Sequence, residues 1–150
     1  MRRRDQWIEW IRAVERESEA AAFAIELLDE RLSGDPSSLA ARGLEHRDVH
    51  HVKANREATY LVRAFAVFES GLREAWEKAE QRATNPRIID LMEAFAARAR
   101  MASDRLSDAH RVRAYRNSIV HDVSESVEAM SLAEARRLLC RYFSYLPPEW

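Results

Sequence analysis

Residues 7–32 read WIEWIRAVERESEAAAFAIELLDERL. Within them Trp7, Ile11, Val14, Ser18, Ala21, Ile25, Leu28 and Leu32 follow one another at steps of four and three. That spacing keeps all eight on one stripe of a single helix of roughly seven turns. Trp10 and Leu27 are expected to widen the stripe. Gly34-Asp35-Pro36-Ser37-Ser38 should end it, because glycine suits the position after a helix and proline cannot continue one.

The same period returns along the chain. Ala58, Leu61, Phe65, Phe68, Leu72, Trp76 and Ala79 mark a second long helix that stops before Asn85-Pro86. Asn85 as N-cap and Pro86 at the first helical position open a third, with Ile88, Leu91, Met92, Phe95 and Ala99 inward. A fourth runs from Ser103 or Ser107 to Asp122 over Ala109, Val112, Tyr115 and Ile119. Ser131-x-x-Glu134 is a capping box for a fifth, which buries Ala135, Leu138, Leu139, Tyr142 and Leu146 and ends at Pro147-Pro148. Between Leu39 and Val52 the pattern is ambiguous, and Gly43 interrupts it. The expected fold is all-α: one domain over residues 1–150, an up-down bundle of four or five helices.

Composition excludes several alternatives. The 150 residues include only three glycines and four prolines, too few for the tight turns of a strand-rich fold or for a glycine-rich phosphate loop. A single cysteine, Cys140, excludes an internal disulfide and a cysteine zinc cluster. The MRRRDQ start is basic, yet the residues after it are charged every few positions and form no leader. The longest apolar run, Ala20 to Ile25, is far below the ~20 residues a membrane span needs. A cytoplasmic protein with no membrane partner is expected.

The formal charge is −1, but it is an average over opposite regions. From Glu15 to Glu30, in the first helix, Glu15, Glu17, Glu19, Glu26, Asp29 and Glu30 face a single base, Arg16. Arginines 98, 100, 105, 111, 113 and 116 face only Asp104 and Asp108 further on. Neutrality therefore argues against indiscriminate polyanion binding and leaves room for a local anion site.

Tyr115-Arg116-Asn117-Ser118-Ile119-Val120-His121-Asp122 sits in that arginine-rich region. On an ideal helix Asn117 and His121 stand about 40° apart and share a face. Arg116 lies about 140° from His121, so the two do not converge within one helix. A copy related by a two-fold axis would bring them into a shared cleft.

Arg116-Asn117-x-x-x-His121, near the end of a penultimate helix, resembles the RNxxxH signature of the HEPN superfamily. The second helix, ATYLVRAFAVFESGLREAWEKA, is similar to the long helix of several HEPN families, in which an arginine and a glutamate interrupt an apolar stripe; here they are Arg63 and Glu69. With helix number and order, the resemblance covers nearly the whole chain. It implies a homodimeric, metal-independent endoribonuclease with no cofactor, a toxin or defence effector with an antitoxin protein among its partners. Arg116, Asn117 and His121 would be catalytic, with Arg63 and Glu69 supporting them. Arg111, Arg113 and His110 would track the RNA backbone. Family toxins paired with a minimal nucleotidyltransferase often carry a tyrosine two residues after the histidine; Val123 stands there, so the resemblance does not extend to that modification. Some members of the superfamily lack nuclease activity, and a non-catalytic module binding RNA, a nucleotide or a partner protein is the alternative.

Other residues have plainer readings. Glu45, His46, Asp48, His50 and His51 crowd ligand types together, with His46 and His50 at i, i+4, but no H-E-x-x-H is present and a solvated helix start is the simpler reading. Arg116 has a structural alternative, an ion pair with Glu69. Cys140 reads as a small core residue. Trp7, Trp10 and Trp76 read as core or interface, not as base-stacking platforms.

Overall fold

The computed structural model describes residues 3–81, 84–121 and 126–150. Among them are five α-helices and no strand: α1 (Arg4–Gly34), α2 (His46–Glu80), α3 (Ile88–Arg98), α4 (Ser103–Val120) and α5 (Leu132–Ser144). The all-α bundle read from periodicity is what forms. No helix among the described residues is long and apolar enough to cross a membrane.

The seam of α1 holds along its length. Trp7, Ile11, Val14, Ser18, Ile25 and Leu32 are buried. Ser18 tolerates this apolar row because Arg56 of α2 donates to both its hydroxyl and its carbonyl oxygen, which satisfies the buried polar atoms. Trp10 and Leu27 do not widen the stripe: they stay 40% and 49% exposed, and Trp10 leans edge-on against Trp7 at 4.7 Å.

α2 is the central element and packs against all four other helices. Its inward face carries Leu61, Ala64, Phe65, Phe68, Leu72 and Ala75, joined by Leu91, Met92 and Phe95 of α3, Ala109 and Val112 of α4, and Leu138, Leu139, Tyr142 and Phe143 of α5. Gly71 is the closest approach in this core. A Cβ there would meet the Phe143 ring at 2.6 Å and the Trp7 ring at 3.0 Å. Tyr142 is buried and donates its hydroxyl to the Met92 carbonyl at 2.6 Å, which ties α5 to α3. Burial pushes the Tyr142 phenol well above its usual range.

The ends of the helices differ from expectation in instructive ways. α2 begins at His46, well before the apolar rhythm starts, because Glu45 and Asp48 form a reciprocal capping box. A short 3-10 turn (Ala40–Arg42) and Gly43, at φ +68°, turn the chain into it. α3 starts at Ile88, not at Pro86. Asn85 does not cap it: the Asn85 side chain and the Pro86 carbonyl both accept from Arg73 of α2, at 2.7 and 2.9 Å. For α5, Ser131 accepts from the Glu134 amide at 3.1 Å, while the Glu134 carboxylate turns to Arg111 instead of completing the box.

Residues near Arg4 clasp the segment after α5. Arg4 donates its side chain to the Leu146 carbonyl and its amide to the Pro148 carbonyl, each at 3.1 Å.

Candidate functional site

α4 positions the motif. Its buried residues are Ala109 and Val112, with Leu106, Tyr115 and Ile119 partly buried against the same core. Seven residues are nearly two turns, so Arg116 returns almost to the bearing of Ala109. The inward side of α4 thus includes an arginine between Val112 and Ile119, and Val120, one turn on from it, is 47% exposed. A helix that only closed a core would carry an apolar residue at this place.

The Arg116 guanidinium rests over the ring of buried Phe65 on α2, 5.7 Å from its centroid. One of its terminal N–H groups donates to the Asn117 side-chain oxygen at 3.0 Å. The ring and the amide hold the fork in place, the first by cation–π attraction and the second by a hydrogen bond. Its Nε is buried without an acceptor. Leaving such a group unpaired costs about 1–3 kcal/mol in the isolated chain.

Glu69 does not pair with Arg116. It takes Arg73, one turn on in α2, at 2.6 Å. Arg63 is likewise drawn elsewhere, to Glu17 of α1, and is exposed. The expected supporting pair therefore braces α2 and the α1–α2 seam, and neither member reaches the motif through an ion pair. Glu69 carried a local sign of this: Arg73 follows it at i+4 on the same helix.

His121 is not the last helical residue of its face. α4 ends at Val120, and His121 adopts an extended backbone, φ −116° and ψ 133°. Its amide still donates to the Asn117 carbonyl at 2.8 Å, so Asn117 is linked to Arg116 by its side chain and to His121 by its backbone. The His121 ring is exposed. Asp122 and Val123 lie outside the described residues.

The arginines expected to track RNA separate into two kinds. Arg111 is surrounded by Asp108, Glu134 and Glu128 at 3.4, 3.5 and 3.8 Å. Arg113 is half-buried and, among the described residues, has no carboxylate partner and no acceptor for its Nε. His110 is half-buried with an unpartnered Nδ1. Burial lowers its pKa from the ordinary histidine value and the Arg113 charge lowers it further, against a smaller opposing pull from Glu93 of α3.

Among the described residues no group of three His, Cys, Asp or Glu side chains is placed to hold a metal ion. The Glu45–His51 cluster is the solvated start of α2. Cys140 is half-buried beside α1, and burial pushes its thiol up to about 11, the behaviour of an inert packing residue. Trp76 packs edge-on against Phe95, lies under Arg98 and donates to Thr84, so it is committed to the bundle.

The fold and site together define an all-α bundle in which Arg113 and Arg116 of α4 have no carboxylate partner among the described residues. Comparison with family models, curated proteins and solved structures gives no match for this chain.

Proposed function

We propose that the chain is a metal-independent endoribonuclease of the HEPN type, active as a homodimer and serving as a toxin or defence effector under an antitoxin protein. The observation that carries this reading is Arg116. It occupies an inward position of α4, is held by Phe65 and Asn117, has no carboxylate partner among the described residues, and stands five residues before His121 in the RNxxxH spacing.

The chemistry suits these residues. RNA supplies its own nucleophile, the 2′-hydroxyl. His121 accepts the 2′-hydroxyl proton as the oxygen attacks phosphorus. The P–O5′ bond breaks, a proton goes to the departing 5′-oxygen, and the products are a 2′,3′-cyclic phosphate and a 5′-hydroxyl. Arg116 grips the phosphate in a two-pronged contact and offsets the charge that builds on its oxygens. Asn117 keeps the arginine fork oriented. The two-fold copy supplies the second histidine or arginine that one helix cannot bring into line.

Single-stranded RNA incubated with excess EDTA tests the proposal. The wild type should leave cyclic-phosphate ends, and Arg116→Ala and His121→Ala should each cut at least ~100-fold more slowly. Equal cutting by all three, or no cutting of any RNA by the wild type, overturns it.

One observation favours a second reading, a non-catalytic module that binds RNA, a nucleotide or a partner protein. No side chain among the described residues hydrogen-bonds the His121 ring, whereas an acid–base histidine is usually oriented by a third group. This reading predicts binding without turnover and full binding by His121→Ala.

A further inference from the structure

A groove runs between the last turns of α2, the end of α3 and the segment after α5. It consists of two cavities, of about 400 and 340 Å³, that share Ala79, Phe95, Leu146 and Pro147. One leads on to Lys78 and Trp150, the other to Arg98 and Tyr145. Phe95 and Leu146 are buried and form its floor with Ala75. Phe65, which holds Arg116, stands ten residues before Ala75 in α2, about 15 Å along the helix. The groove is therefore separate from the motif.

Polar groups around the groove are already matched, with one exception. Arg4 donates its side chain to the Leu146 carbonyl and its amide to the Pro148 carbonyl, so both acceptors of that wall have a donor. Glu149 is paired with Arg3 at 3.5 Å. The Arg98 guanidinium is held by Glu80 and the Trp76 ring. Trp150 stacks on Phe143, 6.2 Å between centroids, which props one end of the groove open. Lys78 is exposed at that end and has no carboxylate partner among the described residues.

We propose that this groove binds a single-chain carboxylate amphiphile, a fatty acid, with its tail along Ala79, Phe95 and Leu146 and its head at Lys78. The four residues common to both cavities are all apolar, so an extended hydrocarbon tail passes from one to the other without stranding a polar group. Each cavity has the size of a small-molecule site. A single unmatched ammonium beside that apolar run selects a single negative head, and as a point charge it suits a carboxylate without needing a fork. The stem of Lys78 adds apolar surface to the same wall.

Calorimetric titration with decanoate, kept below micelle-forming concentrations, tests the groove. The wild type should bind one decanoate per chain. Ala79 is exposed, so Ala79→Leu should fold normally while its larger side chain fills the shared stretch; binding should fall at least ~tenfold. Lys78→Met keeps an apolar stem and removes the charge. Decanoate should bind about fivefold more weakly to it, with the affinity for decanol unchanged. Lys53→Met, whose lysine is paired with Asp29 on α1, should bind decanoate as the wild type does. Thermal melting of each variant establishes that it is folded.

No binding by the wild type overturns the proposal. So does wild-type affinity in Ala79→Leu, which would mean adsorption elsewhere on the surface. An undiminished preference of Lys78→Met for decanoate over decanol overturns the placement of the head. RNA cleavage enters none of these measurements, so the groove and the nuclease reading stand or fall separately.

Discussion

α2 meets its neighbours in two contrasting ways on neighbouring turns. At Gly71 the rings of Phe143 and Trp7 come so near that no Cβ fits. At Phe65 the neighbour from α4 is a half-exposed arginine whose Nε has no acceptor. The first contact is full: the two rings occupy the space, and any addition is a clash. The second is open, because a place beside the core holds a charged group that the described residues leave partly unsatisfied. Stability alone does not explain that choice.

The sharpest way to break the contrast is Arg116→Met. Methionine fills the place over Phe65 and removes the unmet donor. Cleavage should fall at least ~100-fold. The melting temperature should stay level or rise by a few degrees, as ~1 kcal/mol commonly gives in a chain of this size. A large drop in melting temperature would make Arg116 a structural residue and close the open end of the comparison.

Gly71→Ala probes the full end. Helix propensity favours the change by ~1 kcal/mol, but the clash with Phe143 should outweigh it. A net loss of about 1–3 kcal/mol in chemical denaturation is expected, with cleavage retained by the molecules that remain folded. A neutral result would mean that the α1–α5 contact is looser than its geometry.

Ion pairs give a smaller effect. Glu15 and Arg136 join α1 to α5 at 2.8 Å and are mostly shielded from solvent. Glu17 and Arg63 are about half-exposed. Glu15→Gln should cost up to ~1 kcal/mol and Glu17→Gln about 0–0.5 kcal/mol. The reverse order would move the tight seam away from α5.

The smallest effect concerns His110. Its folded pKa lies below the ordinary histidine value, so below that value the unfolded chain binds more protons than the folded one. The stability this histidine contributes when neutral is therefore present above pH ~6.5 and is lost as pH falls toward the folded pKa. His110→Gln should remove a small part of the acid sensitivity seen in melting temperature between pH 7 and pH 5. Identical slopes would leave His110 out of the site's electrostatics.

What could be read from sequence followed from how local the cause was. The seam from Trp7 to Leu32 was legible because one period governs it. The first turns of α2 were not, since among them only Val49 is buried and the helix is set by a cap of two acids. Asn85-Pro86 looked like a helix start, but a guanidinium from α2 claims both residues, and such tertiary capture leaves no periodic trace. Regional charge was legible and its availability was not. Arg111 and Arg113 look alike in sequence, and only the fold shows that one is enclosed by carboxylates while the other has none among the described residues. The RNxxxH spacing was visible at once, whereas the departure of His121 from the helix was not.

The clasp of Arg4 on the Leu146 and Pro148 carbonyls has a consequence for biosynthesis. The walls around Trp7 and Ile11 are completed by α5, which leaves the ribosome after the other four helices. Until then α1 and α2 can shelter only part of one another, and a sticky strip of nascent chain stays open to chaperones. Release at a premature stop before Leu132 would leave that strip uncovered for good. Such fragments should be degraded or aggregate, so that only a chain translated through α5 yields a lasting Arg116 site.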